Sequence, residues 1–317
     1  MHREPDPAGW HDRKNLSERI KAQALSLGFN KAGIVRASAV KETFLEEWLL
    51  NSYQAGMSWM HRTKEIRLDP EKYLPGVKSI VSLALNYYCP DEDRPSGTLQ
   101  VSRYAAGRDY HAVLTEKLRI LHDYIQVLIP GVRGKIAVDS APVLDKVWAA
   151  LAGIGWIGKH SNIITRELGS YLFLGEILLD YELYYDKPIS DFCGTCSLCI
   201  DRCPTGAIVK PYVVDSNKCI SYRTIEHKGD FPGDMQKGNE DWIFGCDVCQ
   251  EVCPWNKFSR ETCVSDLKPR DGMRFPRLQE LESLSEEEFE EKFRDSPVKR
   301  CRFEGFKRNI THARENI

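Results

Sequence analysis

Hydrophobic residues along this chain recur at two different spacings, which predict helices and buried strands. Residues 16–27 place Ile20, Ala24 and Leu27 on one helical face, and Gly28 then ends the helix. Residues 79–86 are almost continuously apolar, which is typical of a strand buried on both sides. Strands and helices alternate in this way up to about residue 179, which predicts a layered α/β arrangement.

Other segments follow the same patterns and complete the predicted elements. Further strands are expected at residues 32–35, 135–138, 162–165 and 170–179, and further helices at residues 40–50, 110–128 and 142–152. Residues 55–76 contain two prolines and are expected to form an irregular loop that wraps a ligand. The segment beyond residue 260 is first acidic and then basic, and we expect it to be mostly helical.

Composition and length narrow the class of protein. The chain has 317 residues, of which 42% are hydrophobic and 28% charged, and its formal net charge is −2. These values are typical of a soluble globular protein of two or three domains. The net charge is too small to attract a polyanion such as a nucleic acid to the protein as a whole. Residues 1–13 are charged and contain no apolar run, which predicts a disordered tail rather than a secretory signal. No apolar run approaches a bilayer span, so we expect a cytoplasmic protein with no membrane partner.

Eight of the eleven cysteines form two runs with related spacing. The first is Cys193-x2-Cys196-x2-Cys199-x3-Cys203-Pro204, and the second is Cys219, 26 intervening residues, then Cys246-x2-Cys249-x3-Cys253-Pro254. This pattern predicts two [4Fe–4S] clusters, in which each Cys-Pro cysteine ligates the cluster of the other run. The predicted ligand sets are Cys193, Cys196, Cys199 and Cys253 for one cluster, and Cys203, Cys219, Cys246 and Cys249 for the other.

Two other uses of clustered cysteines are disfavoured. A disulfide framework needs an oxidising compartment, for which the sequence has no export signal. Zinc sites use C-x2-C pairs, but usually as two separated pairs without a repeated Cys-Pro. Cys89, Cys263 and Cys301 lie outside any ligand spacing and are expected to be ordinary thiols.

Two neighbouring clusters conduct single electrons, so a cofactor that accepts them one at a time is expected. The candidates are flavin, cobalamin and a further metal site. The sequence contains neither a phosphate-binding G-x4-G-K-[ST] loop nor an H-E-x-x-H zinc motif. Its eight histidines show no metal-ligand spacing, and each is expected to be a surface or packing residue.

Residues 153–158 read Gly-Ile-Gly-Trp-Ile-Gly and match the dinucleotide fingerprint G-x-G-x-x-G. In a dinucleotide site this motif follows a strand and opens a helix, whereas here a predicted helix precedes it and a strand follows. A nicotinamide-dinucleotide site is therefore disfavoured. The glycines instead predict a helix end and a tight turn whose backbone approaches something flat and large.

Asp139 is the most suggestive single residue, because it follows a predicted strand and precedes a helix. Chemistry in open α/β sheets gathers at the carboxyl ends of strands. An Asp followed by Ser140 and Pro142 is equally typical of an ordinary helix N-cap. The residues alone leave both interpretations open.

Residues 299–314 carry basic side chains with aromatic ones between them. The basic residues are Lys299, Arg300, Arg302, Lys307, Arg308 and Arg314, and the aromatic ones are Phe303 and Phe306. On sequence alone this pattern favours an amphipathic helix with a solvated basic face over a nucleic-acid surface.

Several segments together resemble the epoxyqueuosine reductase family. They are residues 74–80 (LPGVKSI), 102–103 (SR), 107–111 (GRDYH), 138–140 (VDS), 152–159 (AGIGWIGK), 169–176 (GSYLFLGE), 219–221 (CIS) and 245–250 (GCDVCQ), with the first cysteine run continuing into Pro-Thr-Gly-Ala. They follow the family's order over most of residues 15–260, which makes the match specific. The related reductive dehalogenases share the plan of cobalamin with two clusters.

The resemblance implies a cobalamin-dependent enzyme that reduces epoxyqueuosine to queuosine at the wobble position of a tRNA anticodon. Asp139 is the implied proton donor, and cobalamin is implied to bind without a histidine ligand from the protein. Implied cobalamin contacts are Arg67, Ser102, Asp139, Ile163, Leu174 and Ile220. Several of these would act through the backbone.

Three further expectations accompany the resemblance. Desolvation beside an apolar corrin would raise the pKa of Asp139. The glycines of residues 153–158 would leave room for the flat corrin. The chain resembles the short form of the family, which lacks C-terminal helical repeats, so residues 299–314, the loop 221–240 and the pocket rim are the candidate tRNA contacts.

The expected organisation is multidomain and of α+β or α/β class. A nitroreductase-like, layered α/β cobalamin domain would span residues 14–185 after the tail, followed by a ferredoxin-like two-cluster domain at residues 186–260 and a short helical segment with a basic end at residues 261–317. We expect a monomer that receives electrons from a flavodoxin- or ferredoxin-type protein or a chemical reductant. The alternatives are a dehalogenase-like cobalamin reductase of a small molecule and a ferredoxin-type electron-transfer protein.

Overall fold

The structure, a computed structural model, describes residues 7–41, 44–91, 93–233 and 238–314. The α-helices are α1 (Pro7–Ser26), α2 (Phe44–Leu50), α3 (Trp59–Arg62), α4 (Lys64–Leu68), α5 (Pro70–Tyr73), α6 (Tyr110–Leu128), α7 (Asp145–Leu151), α8 (Leu198–Asp201), α9 (Ile220–Ile225), α10 (Val248–Glu251), α11 (Leu278–Glu282), α12 (Glu286–Lys292) and α13 (Arg302–Ala313). The strands are β1 (Lys31–Arg36), β2 (Ser79–Asn86), β3 (Gln100–Val101), β4 (Gly134–Ala137), β5 (Trp156–Ile157), β6 (Ile163–Ile164), β7 (Leu172–Leu179), β8 (Ile208–Lys210), β9 (Val213–Val214) and β10 (Trp242–Phe244). Short 3₁₀ helices lie at Arg103–Ala105, Pro254–Phe258, Ser265–Leu267 and Pro297–Cys301.

The centre of the first domain is a four-stranded sheet with the strand order β1-β2-β7-β4. Every neighbouring pair in it is antiparallel, and β2 pairs with β7 along its whole length. All eight residues of β2 are buried, as its continuous apolar run predicts. The predicted mixed α and β class is therefore confirmed. Because the sheet is antiparallel, the rule that places sites at the carboxyl ends of parallel strands does not explain the position of Asp139.

Helices cover both faces of this sheet. On one face, Val81, Leu83 and Leu85 of β2 pack with α1 and α6 in the main hydrophobic core. On the other face, Ile80 packs in a cluster with Trp148 of α7. Successive residues of a strand point to opposite faces, so one apolar run supplies both layers.

The N-terminal end of helix α6 is capped by a side chain and faces the candidate active site. The side chain of Asp109 accepts a hydrogen bond from the backbone N–H of His111 and so caps the first turn. The buried residues of the helix, Val113, Leu114, Leu118, Leu121 and Ile125, recur at helical spacing and fix its inner face on the sheet. The first turn of α6 is thereby held against β7, where Tyr110 stacks on Phe173.

Two predicted irregular segments are helical. The expected tail of residues 1–13 is wrong for residues 7–13, which are part of α1. The helix continues back through charged residues that suggested a tail, such as Arg13, while residues 1–6 lie outside the described residues. The predicted loop at residues 55–76 contains α3, α4 and α5, with Asp69 capping α5 by accepting from the backbone of Glu71.

Short elements connect the cysteine region to the first domain. Strand β10 pairs in parallel with β3, which joins residues 242–244 to residues 100–101. Helices α11, α12 and α13 pack over this strand pair in a second hydrophobic core that includes Phe244, Phe289 and Phe306. The C-terminal segment therefore closes over the junction between the other two regions. Among the described residues, no helix is both long enough and apolar enough to cross a bilayer.

Candidate active site

The first predicted ligand set surrounds one cavity. Its cysteines, Cys193, Cys196, Cys199 and Cys253, all line a cavity of about 340 Å³, which we call the outer cavity. The other lining residues include Phe192, Trp255 and Phe258, so the surroundings are largely aromatic. Helix α8 supplies Cys199, and Cys253 directly follows the short helix α10.

The second predicted ligand set opens onto a different cavity. Its cysteines, Cys203, Cys219, Cys246 and Cys249, line a cavity of about 430 Å³, which we call the inner cavity. Cys219 stands at the start of α9, and the backbone N–H of Ala207 donates to the sulfur of Cys203 at 3.2 Å. The structure thus brings each crossed set of four together.

Burial opposes ionisation of six of these cysteines, which are Cys193, Cys199, Cys219, Cys246, Cys249 and Cys253. Burial and the neighbouring cysteines Cys253, Cys193 and Cys196 together raise the pKa of Cys199 to about 11. The thiolate is the form that binds iron, so cluster binding at this site releases protons. Within the described ranges, no group of three or more His, Cys, Asp or Glu side chains is arranged for a single metal ion. The sets of four surround cavities instead of one point, as ligands of a cubane cluster do.

The rest of the inner cavity has an aromatic wall. Tyr87, Tyr104, Tyr110 and Phe173 line it together, and Tyr110 stacks on Phe173 with ring centroids 4.2 Å apart and planes within 4°. Such a wall presents a flat apolar surface to whatever occupies the cavity. Asp139 and Lys146 add charge at its rim.

Most of the residues named as implied cobalamin contacts lie around this cavity. Ser102, Asp139, Ile163, Leu174 and Ile220 all line it. Arg67 is not one of the lining residues: its guanidinium donates to the carbonyl of Val143 at 3.1 Å. Burial lowers the pKa of Arg67, and the charges of Asp145 and Asp139 oppose that change, which places Arg67 beside the rim.

Ser102 has a structural partner that sequence analysis missed. Its hydroxyl donates to the carboxylate of Asp247, which also accepts from the backbone N–H of Arg103 at 2.7 Å. Asp247 is 1% exposed and lies between Cys246 and Cys249. The position of Asp247 within residues 245–250 could have indicated this contact. A buried carboxylate between two cysteines needs hydrogen-bond donors from another segment.

Asp139 lies at the mouth of the inner cavity in a chain of three titratable side chains. His111 Nε2 lies 3.1 Å from Asp139 Oδ2, and His111 Nδ1 lies 2.7 Å from Asp109 Oδ1. The ring of Tyr110 stacks on that of His111 at 4.1 Å and holds its plane. Asp139 also has a backbone φ of +39°, a conformation that a non-glycine residue seldom adopts.

Interactions among Asp109, His111 and Asp139 determine the pKa values of His111 and Asp139. Burial opposes ionisation of Asp139, but the hydrogen bond and charge of His111, with a hydrogen bond from Tyr110, outweigh burial and lower its pKa. Burial likewise opposes the imidazolium of His111, but hydrogen bonds to Asp109 and Asp139 raise the pKa of His111 to about 9. The protein's own groups therefore lower the pKa of Asp139, and the rise expected beside a corrin stays a prediction. At neutral pH the proton is held by His111 between two carboxylates.

The sequence predicts His111 to be a surface or packing residue, whereas the structure places it in the candidate site. The contact with Asp139 joins residues 28 positions apart, which spacing within the sequence does not reveal. The available signal was the run Asp109-Tyr110-His111 at the start of a predicted helix, because a capping Asp places the next histidine beside it.

The glycines of residues 153–158 do not face the inner cavity. A Cβ on Gly155 would lie 2.2 Å from the carbonyl oxygen of Ile164, and one on Gly158 would lie 2.4 Å from the Ile164 side chain. A Cβ on Gly153 would lie 2.5 Å from the carbonyl oxygen of Lys187. The expectation that these glycines make room for a corrin is wrong, since they allow close packing of β5 on β6.

The basic segment 299–314 is largely engaged within the protein. Arg308 donates to the carbonyls of Arg223, His227 and Gly229 at 3.0, 3.1 and 2.6 Å. Arg300 forms a two-pronged ion pair with Glu226 at 2.9 and 3.0 Å. Much of the basic character therefore fastens the C-terminal helix to the cysteine region. The alternative tRNA surface, the loop 221–240, is described except for residues 234–237 and begins within α9.

Two family models match the chain, one in each of its main parts. The model described as "4Fe-4S double cluster binding domain" matches residues 192–256. The model described as "Epoxyqueuosine reductase QueG, DUF1730" matches residues 67–140. The prediction of a two-cluster region is confirmed by the first match, and the assignment of individual ligands stays a prediction.

Relatives and solved structures extend over nearly the whole chain. The epoxyqueuosine reductase of Cellulophaga algicola is 47% identical over 300 residues, which are 94% of this chain and 98% of that protein. The epoxyqueuosine reductase of Escherichia coli is 41% identical over 312 residues, 96% of this chain and 82% of that protein. A crystal structure of epoxyqueuosine reductase with an epoxyqueuosine-modified tRNA-Tyr stem loop is 32% identical, with a TM-score of 0.88 over 95% of this chain and 81% of that one.

A further solved structure, epoxyqueuosine reductase from Bacillus subtilis, has its catalytic aspartate loop swung out of the active site. It is 32% identical, with a TM-score of 0.88 over 95% of this chain and 82% of that one. The predicted resemblance is confirmed by these relatives, because identities above 40% extend over more than nine-tenths of the chain. The chain belongs to the epoxyqueuosine reductase family.

Proposed function

We propose that this protein reduces the epoxide of epoxyqueuosine to queuosine at the wobble position of tRNA, using cobalamin and two [4Fe–4S] clusters. Family membership supports the reaction, and a solved relative bound to an epoxyqueuosine-modified stem loop supports the tRNA substrate. The observation that carries the proposal is one cavity with a proton-holding chain at its mouth and four cysteines in its wall.

The reaction requires both parts of this cavity. Removal of an epoxide oxygen as water leaves a carbon–carbon double bond and consumes two electrons and two protons. The cysteine-lined wall is the side from which electrons would arrive, and Asp139 is on the side from which a proton would arrive. A cavity that supplied only electrons or only protons could not complete this reaction.

The inner cavity fits a large, flat cofactor such as cobalamin. Its aromatic wall is planar, and Ile163, Leu174 and Ile220 add aliphatic surface. His160 lines it with a buried Nε2 that has no hydrogen-bond partner among the described residues, so a donor is available for an amide oxygen on a corrin. Ser102 would contact the cofactor through its backbone, because its hydroxyl is bonded to Asp247. When bound, cobalamin supplies a cobalt centre that can accept electrons one at a time.

Asp139 and His111 would move the proton. Oxygen charge develops as the epoxide opens, and a nearby acid neutralises it by general acid transfer. His111 holds a proton near neutral pH and shares it with Asp139 across 3.1 Å. Asp139 therefore acts as the terminal donor, and His111 restores its proton after each transfer. The aspartate loop that is swung out in the Bacillus subtilis relative supports a carboxyl that moves with its loop.

Electrons would reach the inner cavity through both cysteine sets. Cys249 of the inner set interacts electrostatically with Cys199 of the outer set, so the two sets are neighbours. Only the inner set lines the cavity that holds Asp139. The outer cluster would therefore receive the electron from a flavodoxin- or ferredoxin-type donor, and the inner cluster would pass it on.

The tRNA would dock at the mouth of the inner cavity. Arg300 interacts electrostatically with Asp139, and Lys228 interacts with both Arg300 and Arg302, so these cations share one rim. The guanidinium of Arg300 also lies 5.6 Å from the ring of Trp59. Cations beside a partly exposed aromatic ring suit the phosphates and unstacked bases of an anticodon loop.

Turnover of the modified tRNA tests the proposal. Cluster-reconstituted protein with cobalamin and a strong reductant should convert epoxyqueuosine-tRNA to queuosine-tRNA, measured by mass spectrometry of the digested nucleosides. Omission of cobalamin is the control and should abolish conversion. Protein that retains both clusters but binds no corrinoid would contradict the proposal, as would corrinoid-loaded protein that leaves the tRNA unchanged.

A further inference from the structure

Trp156 stands in the first domain but packs against the outer cysteine set. It is 3% exposed, and its strand β5 pairs with β6 through Ile164. It belongs to a small hydrophobic cluster with Ile164 and Cys253, against which Cys193 also packs. The indole ring makes edge contacts with Trp255 at 5.0 Å and Phe192 at 5.3 Å, so its orientation is fixed from two sides.

The indole N–H of Trp156 is buried without a normal hydrogen bond. Among the described residues, Nε1 has no acceptor within bonding geometry. A buried donor without a partner is costly, so such groups are uncommon unless a ligand satisfies them. Trp255 provides a contrast in the same cluster, because its N–H donates to the carbonyl of Phe192 at 3.4 Å.

The unpartnered N–H is close to one cysteine of the outer set. Cys193 packs against the hydrophobic cluster of Trp156, Ile164 and Cys253, and the indole N–H of Trp156 and the backbone N–H of Lys159 both act on its sulfur. Donors that favour a thiolate also favour the extra negative charge that a cluster gains on reduction. Two N–H groups from the same glycine-rich segment therefore converge on one corner of the outer cavity.

We propose that Trp156 donates its indole N–H to sulfur at the Cys193 corner of the outer [4Fe–4S] cluster and thereby raises the reduction potential of that cluster. The N–H dipole stabilises the reduced cluster more than the oxidised one, because the reduced cluster carries one more electron. The glycines around Trp156 serve this role, since Gly155 and Gly158 let the turn pack against Ile164 beside the outer cavity. The inference needs the two clusters but does not depend on the tRNA substrate.

The test is a redox titration of the two clusters followed by electron paramagnetic resonance. The variant Trp156→Phe removes the N–H and keeps an aromatic ring. We expect one midpoint to move to a more negative potential, with about a tenfold lower equilibrium constant for one-electron reduction, which is about 59 mV. The second midpoint should stay unchanged. The matched control is Trp255→Phe, whose lost N–H is bonded to a carbonyl, and it should leave both midpoints in place.

Two results of this titration would overturn the proposal. One is an unchanged pair of midpoints in Trp156→Phe with both clusters present. The other is an equal shift in Trp255→Phe, because that would assign the effect to packing of the rings.

A second measurement avoids the replacement of Trp156 altogether. Protein with the Trp255→Phe change is grown with indole-¹⁵N tryptophan, reduced, and analysed by pulsed paramagnetic resonance. We expect a ¹⁵N coupling to a reduced cluster from Trp156, and the absence of such a coupling would overturn the proposal even if Trp156→Phe failed to fold.

Discussion

The outer and inner cavities are each lined by four cysteines drawn from both cysteine runs, yet their other walls differ. The outer cavity is lined by Phe192, Trp255 and Phe258 together with Lys159 and Lys257, and none of its lining residues in the described part of the chain is a carboxylate. The inner cavity is lined by Asp139, Asp145 and Lys146 as well as by aromatic rings. An aromatic, N–H-containing wall can set a reduction potential, whereas a wall with carboxylates can also supply protons. In the proposed mechanism, the carboxylates Asp139 and Asp145 distinguish the site of the chemistry from the site where electrons enter.

Asp139→Asn should have the largest effect, and only on the inner side. Asn cannot transfer a proton, so we expect turnover of epoxyqueuosine-tRNA to fall by about 10² to 10⁴-fold. Single-turnover assays with pre-reduced protein measure this directly. Both clusters should keep their visible and paramagnetic spectra. Normal turnover in protein that retains its corrinoid would contradict the role of Asp139.

The substitution His111→Gln should change the pH dependence of turnover and so test whether His111 holds the proton. Because the pKa of His111 is raised to about 9, wild-type turnover should hold at neutral pH and fall as pH rises through about 9. The variant should be about tenfold slower at neutral pH and should lack this alkaline limb. Profiles of turnover against pH for both proteins test it, with His61→Gln on the exposed face of α3 as the control. An unchanged alkaline limb in the variant would assign the limb to another group.

The same histidine predicts a pH-dependent stability. A group whose pKa is raised by folding, here from 6.5 to about 9, contributes stability that is fully present below pH 6.5. That contribution is lost as pH rises through about 9. The difference in Tm between wild type and His111→Gln should therefore be larger at pH 6 than at pH 10, measured by thermal unfolding. A constant difference would show that packing, not charge, is what the imidazole supplies.

The substitution Asp247→Asn should lower stability and speed cluster loss at the inner cysteine set more than a matched substitution does at the outer set. Asp247 is buried and accepts bonds from Ser102 and Arg103 across the domain junction, so its loss should cost about 1–3 kcal/mol. The control is Asp201→Asn in the first cysteine run, where an exposed carboxylate accepts a hydrogen bond from Ser197 at 2.6 Å. Thermal unfolding and the rate of cluster loss to a chelator compare the two. Equal effects would contradict the structural weight placed on Asp247.

Arg302→Ala should give the smallest effect and locate the tRNA. Arg302 is exposed and near Lys228 at the inner rim, so its removal should weaken tRNA binding and lower the salt dependence by about one charge. Lys257→Ala at the outer cavity is the matched control and should leave affinity unchanged. Titrations of labelled tRNA at several salt concentrations distinguish the two rims. A larger loss with Lys257→Ala would place the tRNA on the outer side.

The features that sequence predicts well are those encoded by local spacing. The all-apolar run of residues 79–86 allows little except a buried strand, and β2 matches it. The crossed cysteine sets follow from the spacing that is typical of proteins with two [4Fe–4S] clusters, and the structure groups the cysteines accordingly.

Features that depend on approach between distant segments were not predictable. The bond of Ser102 to Asp247 spans 145 positions, and no periodicity in either segment implies it. From the sequence, Arg308 is predicted to be an exposed cation. Its partners are backbone carbonyls, such as that of Gly229, which residue identity does not reveal. The glycines of residues 153–158 were misassigned for the same reason, since their close neighbour was a strand and not a cofactor.

The pairing of β10 with β3 has a consequence for how the holoprotein is made. It joins segments about 140 positions apart, and α13 then packs over β10. The loop that carries Cys246 and Cys249 follows β10, so the packing behind this loop is complete only when residues 302–313 have left the ribosome. We therefore expect stable iron–sulfur insertion at the inner site to follow the synthesis of residues 302–313.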